Sequence, residues 1–245
     1  MSDFFEIYDV IAKGTVKNIY AENMYSGPRW TIAECQGNLG LAMTTAGSSI
    51  PPIFPTPAEK IRIYEYAKAI KSWNFTEASM ALAACNAFYN SKERLDKLNC
   101  HEPYENYCTD GLDMSGAKIA LIGHLTVTEE MQNKAEKIYI LEKAPQPGDY
   151  PDSACDYILP QCDIVIITGS AIINKTFPHL LELCKNAHTT ILAGPSVPMC
   201  PELLDFGIDR LSGMIVENKD DMIAQVLSGK PVSPYPYSSC FLLKK

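Results

Sequence analysis

A chain of 245 residues, 47% of them hydrophobic, has enough apolar material for one large or two small cored domains. Its net charge of −8 argues against nucleic acid or an anionic membrane as partner. No apolar run approaches the roughly 20 residues needed to cross a bilayer, and the opening MSDFFEIYDV carries acids but no basic segment, so neither a membrane span nor a signal peptide is expected and the cytoplasm is the expected compartment.

An opening helix is expected over residues 3–12. Residues 29–35 and 39–45 read as two strands joined at Gln36-Gly37-Asn38, a hairpin signal, with Trp30, Ile32 and Glu34 on one face. The run GSSIPPIFPTP at 47–57 excludes regular structure, because its four prolines fix φ and remove backbone donors. Helices are expected over 58–71 and 77–90. In the second, Ala78, Leu82, Cys85 and Tyr89 keep helical spacing while Ala81, Ala84 and Phe88 fill another side, so this helix is buried. Asn86 lies within it and needs hydrogen-bond partners. Either it ties helix to loop, or it reaches a ligand cleft.

The turn-rich DGLDMSG at 110–116 marks a domain boundary, giving domains 1–110 and 111–245. Beyond it, strands at 118–122, 137–141, 163–168, 189–193 and 213–216 alternate with helices starting near 126, 153, 176 and 201. This alternation predicts an α/β fold with a doubly wound parallel sheet. The expected strand order is 3-2-1-4-5, which sets Gly123-His124 beside Gly194-Pro195-Ser196 at the switch point, where such sheets bind ligands. The proline-rich tail at 229–237 is expected to run extended over the surface.

The turn after the first of these strands has one glycine, not G-x-G-x-x-G. Thr126 with Glu129 fits a capping box, and Glu129 and Glu130 put negative charge in the first helical turn. A pyrophosphate is therefore disfavoured, and with it NAD or FAD; an S-adenosylmethionine-like nucleoside fits better. Glu142 ends the second strand, where a Rossmann-type acid accepts from ribose hydroxyls; a solvated surface acid beside Lys143 is the alternative. His124 is a proton-transfer group, a metal ligand or a polar residue satisfied by its loop. Asn174 either closes the loop leaving Thr168-Gly169-Ser170 or faces the crevice, and Thr176 is the expected N-cap of the next helix. Ser196 sits in a proline-stiffened loop and could donate to a substrate oxygen, but without G-x-S-x-G or an adjacent acid–histidine partner a serine hydrolase is not supported.

The nine cysteines read as reduced thiols, with no C-x-x-C pair among them. Cys100, His101 and Cys108 form a loose cluster without structural-zinc spacing.

Several runs together resemble a known family. GHLT after the first of these strands, EK-x-P-x-x-GD-x-P from Glu142 to Pro151, LP-x-x-D-x-VI-x-TGS, N-x-T and GPS-x-P are similar to those of the "putative heavy-metal chelation" family. Gly40-Leu41-Ala42 and Ala84-Cys85-Asn86-Ala87 match its pattern earlier in the chain. Lys143 departs from the pattern, standing where an arginine is expected beside the acid, which weakens an anion contact there. The resemblance implies an enolase N-terminal-like α+β domain followed by a Rossmann-like domain, with the cleft between them as the active site for a nucleoside-, pterin- or chelator-like ligand. Carried over residue by residue, it puts Gly123, His124, Glu142, Thr168, Gly169, Ser170, Asn174, Gly194 and Ser196 at the cleft, with Asn86 and Thr44 from the first domain. His124 and Ser196 are the catalytic candidates; the others are ligand-binding candidates, and metal ligands are left unassigned.

Three readings follow: an enzyme-like protein acting on a small organic molecule, a non-catalytic binder of a metal or metal chelate, and a structural partner with a vestigial crevice. The expected partner is a small molecule, metal-associated or not, and a homo-oligomer is compatible with the sequence.

Overall fold

The computed structural model describes residues 5–15, 17–47, 50–53, 61–102 and 108–245. The start of the opening helix, most of the 47–57 loop and the expected helix start at 58–60 lie outside these residues. The N-terminal half comprises α1 (Glu6–Lys13), an antiparallel sheet of β1 (Met24–Ser26), β2 (Trp30–Cys35) and β3 (Asn38–Met43), then α2 (Ile63–Lys68), α3 (Phe75–Tyr89) and α4 (Lys92–Lys97). The hairpin loop is two residues rather than three: Cys35 already pairs with Asn38. Gln36 and Gly37 turn the chain at φ 48° and 76°, the left-handed pair that matches strand twist in a two-residue loop.

Both faces of this small sheet are covered. Trp30, Ile32, Leu39 and Leu41 pack on Met214, Val216, Met222 and Val226 from the C-terminal half. The opposite face, with Ala33 and Ala42, packs on α3. That helix starts at Asn74, whose side chain accepts from Glu77 N, and its small residues let β3 approach closely. A Cβ added at Gly40 would stand 2.0 Å from Ala87 N and 2.1 Å from Ala83 O, so only glycine fits there.

The C-terminal half comprises β4 (Lys118–Ile122), α5 (Glu129–Lys134), β5 (Lys137–Glu142), β6 (Tyr150–Pro151), α6 (Cys155–Ile158), β7 (Ile164–Thr168), α7 (Ser170–Ile173), α8 (Phe177–Leu183), β8 (Thr189–Ala193), β9 (Arg210–Val216), α9 (Lys219–Leu227) and β10 (Ser238–Lys244). Near Pro201 the expected helix is a 3₁₀ segment, Pro201–Phe206. The α/β fold holds, but the strand order does not. The sheet runs β10-β9-β8-β7-β4-β5-β6, so the five expected strands lie in the order 2-1-3-4-5. The physical reason lies in Ile164–Ile167: four consecutive buried residues suit a central strand covered on both faces. β5, by contrast, is only partly buried over most of its length and lies next to the edge, bounded there by the two-residue β6 ending in proline. The switch point therefore lies between β4 and β7, which sets Gly123-His124 beside Thr168-Gly169-Ser170 rather than beside Gly194–Ser196. Beyond the proline-rich tail, β10 closes the other edge antiparallel to β9.

The expected capping box also shifts. Thr128, not Thr126, caps α5, its hydroxyl accepting from Met131 N at 3.2 Å, and the first helical residue is Glu129. Residues 125–128 therefore separate the Gly123-His124 turn from that helix.

The two halves share one core. Ile7, Tyr8, Ile11 and the buried face of α3 belong to the same apolar cluster as Ala120, Val165, Ile167, Leu192 and Leu211. Asn90, just past α3, spans the junction: its amide donates to Val197 O at 2.9 Å and Met214 O at 3.3 Å, and its carbonyl accepts from Met199 N at 3.0 Å.

Candidate functional site

The loops at the carboxyl ends of β4, β5 and β7 open into a pocket of about 910 Å³. One wall is Gly123 to Thr126, Leu141 to Lys143, Thr168, Ser170, Asn174 and Pro195. The facing wall comes from the N-terminal half, with Pro28 to Trp30 and Met43 to Thr45, and Ser233 to Tyr235 of the tail complete the rim. This volume falls in the range of small-molecule sites, about 300–1,000 Å³.

Of the residues singled out by sequence, Thr44, Gly123, His124, Glu142, Thr168, Ser170 and Asn174 line the pocket. Gly123 bends at φ 94°, and a Cβ there would stand 2.9 Å from Thr168 Cγ2, so glycine lets the β4 and β7 turns meet. Thr168 and Ser170 share a hydrogen bond of 3.1 Å between hydroxyls. Asn174 Oδ1 accepts from Thr176 N and Thr176 Oγ1, at 3.1 and 2.7 Å. Thr176 holds the N-cap position of α8, but its side chain makes no cap bond; Asn174 closes the turn instead.

Glu142 braces the site. One carboxylate oxygen accepts from His124 N at 2.9 Å and the other from Lys143 N at 2.7 Å, which fixes the β4 turn against the end of β5. His124 points its Nε2 at Asp149 Oδ2, 3.1 Å away; the carboxylate is 6% exposed and the imidazole 42%. The same Asp149 oxygen accepts from Gln146 N at 2.9 Å. A second histidine–carboxylate pair stands on the wall, His179 Nε2 to Asp156 Oδ1 at 2.9 Å.

Four residues stand off the wall. Ser196 is 3% exposed, and its hydroxyl accepts from Met43 N at 2.9 Å, tying the β8 loop to β3. Gly169 packs against the Ser196–Val197 backbone, and its neighbourhood leaves no room for a Cβ. Gly194 takes φ 114° ahead of Pro195, which is the residue of that loop on the wall. Asn86 is fully buried; its amide donates to Leu41 O at 2.6 Å, and Oδ1 has no partner among the described residues.

Sequence reasoning missed Asp149, the His179–Asp156 pair and Arg29. Asp149 falls inside the GD-x-P run, so the signal was present without a partner to give it meaning. It also missed Lys175, between Asn174 and Thr176. This lysine is 4% exposed at φ 66°, donates to Ile173 O at 2.8 Å, and lies over the rings of Tyr8 and Phe75 at 5.4 and 5.8 Å. Burial pulls its pKa down to about 8.

Among the described residues, no three His, Cys, Asp or Glu side chains converge in a group that could hold a metal ion. Cys100, His101 and Cys108 do not form one; His101 instead faces Asp110 at 3.5 Å. All nine cysteines are free thiols.

Two family models match this chain, DUF364 over residues 111–238 and DUF4213 over residues 8–89, and both bear the description "putative heavy-metal chelation". The chain belongs to this family. A DUF364 family protein of unknown function from Desulfitobacterium hafniense shares its structure with a TM-score of 0.88 at 29% identity, over 99% of this chain and 98% of that one. A DUF364 protein from Pyrococcus horikoshii matches at TM-score 0.79 and 21% identity over 99% of both chains, a likeness of fold. An uncharacterised protein of Methanocaldococcus jannaschii is 28% identical over 170 residues, 64% of this chain and 61% of that relative. Membership links the chain to a chelation-related role. Among the described residues, the donor groups above do not fit a resident metal ion, because no three ligating side chains come together.

Proposed function

We propose that this protein binds a small organic molecule in the pocket between its halves, in a role related to metal chelation, and that His124 moves a proton at the bound molecule. The carrying observation is the His124–Asp149 pair on the wall of a pocket of ligand size. An imidazole with one nitrogen committed to a buried carboxylate has a fixed ring and leaves the other nitrogen for the ligand. Thr168, Ser170, Thr44 and Asn174 supply neutral hydrogen-bonding groups around it, which suits a nucleoside-, pterin- or chelator-like molecule. On this reading the chelating donors belong to the organic molecule rather than to the protein's own side chains.

We also read the chain as a domain pair, an enolase N-terminal-like α+β unit followed by a Rossmann-like unit. The strand order 2-1-3-4-5 supports a doubly wound sheet in the second unit, in the flavodoxin-like order rather than the 3-2-1-4-5 order of the Rossmann fold itself.

Native mass spectrometry of freshly purified protein tests the function. A co-purifying organic molecule, lost when Ser170→Trp fills the pocket, is the expected result. A stoichiometric metal ion bound without any organic molecule would overturn it.

A further inference from the structure

Thr44 stands on the N-terminal wall of the pocket, just past the end of β3, and a chain of hydroxyls runs from it into the small sheet. Its Oγ1 lies 3.0 Å from Thr31 Oγ1, which in turn lies 2.8 Å from Ser26 Oγ. Ser26 and Thr31 are direct partners across β1 and β2, but the direct partner of Thr31 on β3 is Ala42. The bond to Thr44 is therefore diagonal, and it reaches the first residue that has left the ladder. The Thr44 backbone is fixed separately, its N–H donating to Arg29 O at 2.9 Å. The side-chain torsion χ1 is what remains to be set, and the Thr31 hydroxyl is placed to set it.

Thr31 is fully buried, whereas Ser26 is exposed and Thr44 half-buried. Among the described residues, the Thr31 hydroxyl bonds to those two hydroxyls and to no backbone carbonyl. Burying a hydroxyl costs free energy unless it is bonded, and valine has the same shape and suits a strand equally well. Both partners can turn to water instead, so this tie adds little net stability. What it changes is where the Thr44 oxygen points. With one hydrogen and two lone pairs, Thr31 donates to one neighbour and accepts from the other, so Thr44 is held whichever way the chain is polarised. We propose that Thr31 is a positioning residue, which fixes the Thr44 hydroxyl as a preset hydrogen-bonding group for the bound molecule, on the wall facing His124. A preset hydroxyl meets a ligand without first losing rotamer freedom. The proposal rests on the pocket being a ligand site.

The χ1 angle of Thr44 tests it, read in the unliganded protein from three-bond couplings to the threonine methyl carbon. The expected result is a single rotamer in the wild type, averaging among the staggered wells in Thr31→Val, and return to the single rotamer in Thr31→Ser, which restores the hydroxyl. The Tm of Thr31→Val should stay within about 4 °C of wild type. Thr31→Ala removes the same hydroxyl without placing a new methyl group in the sheet and should give the same averaging, so the reading does not depend on Thr31→Val folding. A Thr44 that keeps its wild-type rotamer in both variants would overturn the proposal, and so would a Thr44 that already averages in the wild type. A larger fall in Tm with Thr44 unmoved would overturn it too, by making the Thr31 hydroxyl a support of the sheet. Because no ligand enters the measurement, any of these failures leaves the pocket reading standing, to be judged by the co-purified molecule.

Discussion

His124 and Asp149 form a pair across 25 residues of chain, with Nε2 and Oδ2 3.1 Å apart and the carboxylate nearly sealed from solvent. Asp149 lies in the turn that leads into β6, and the sheet brings that turn next to the end of β4. Asp149→Ala removes the acceptor of both His124 and Gln146 N. Stability should fall by about 1–2 kcal/mol. The Nε2 proton of His124, visible in a ¹⁵N–¹H spectrum of the wild type because it is held, should broaden away by exchange with water. Equal visibility in both proteins would mean the carboxylate does not orient the ring.

Ser196→Ala leaves the N–H of Met43 buried without its acceptor. The cost should be about 1–3 kcal/mol, read as a fall in Tm of about 2–4 °C per kcal/mol at this chain length. An unchanged Tm would show that the β3–β8 tie carries no stability.

Gly40→Ala forces a methyl group into the backbone of α3 at Ala83 and Ala87. The helix and β3 must separate, and the loss should reach about 3 kcal/mol, the upper range for overpacking. Urea unfolding measures it. A variant within 1 kcal/mol of wild type, on the order of an ordinary surface change, would mean the two elements yield more readily than their packing suggests.

Lys175 titrates within reach of experiment. Its folded pKa, about 8, lies below the ordinary 10.5 because burial opposes the charged form. Below pH 8 both states carry the proton and the folded state bears the cost of the buried charge. Between pH 8 and 10.5 the unfolded chain binds the extra proton, so stability relative to Lys175→Met should rise with pH, by up to about 3 kcal/mol. Comparing the two proteins cancels the tyrosines and cysteines, which titrate in the same range. A difference that is flat from pH 7 to 10.5 would contradict the burial of this ammonium group.

Much of the fold was legible in the sequence because its signals are local. The apolar runs at 118–122 and 163–168 and the Gln36-Gly37 turn declare themselves within a few residues. Strand order is not local. The alternation of strands and helices allows either order, and only the unbroken apolar character of Ile164–Ile167 argued for a central place. β1 and β10 escaped notice because one is three residues long and the other follows a proline-rich stretch. The site was legible where a turn residue faces the crevice directly, as at Gly123, His124, Thr168 and Ser170. It was obscure where a role comes from a partner distant in sequence: Ser196 meets Met43 and His179 meets Asp156.

The apolar cluster that joins α1 and α3 to the sheet helices has a consequence for how the pocket is entered. Clamshell enzymes open along a sparsely packed seam, and here that seam is welded by Asn90 and by side chains buried from both directions. Admission of a guest should therefore depend on small excursions of the rim at Ser233–Tyr235 and Lys143. The chamber's dimensions are cast when the chain folds, so a ligand of the proposed kind would be selected by a rigid mould rather than by closure.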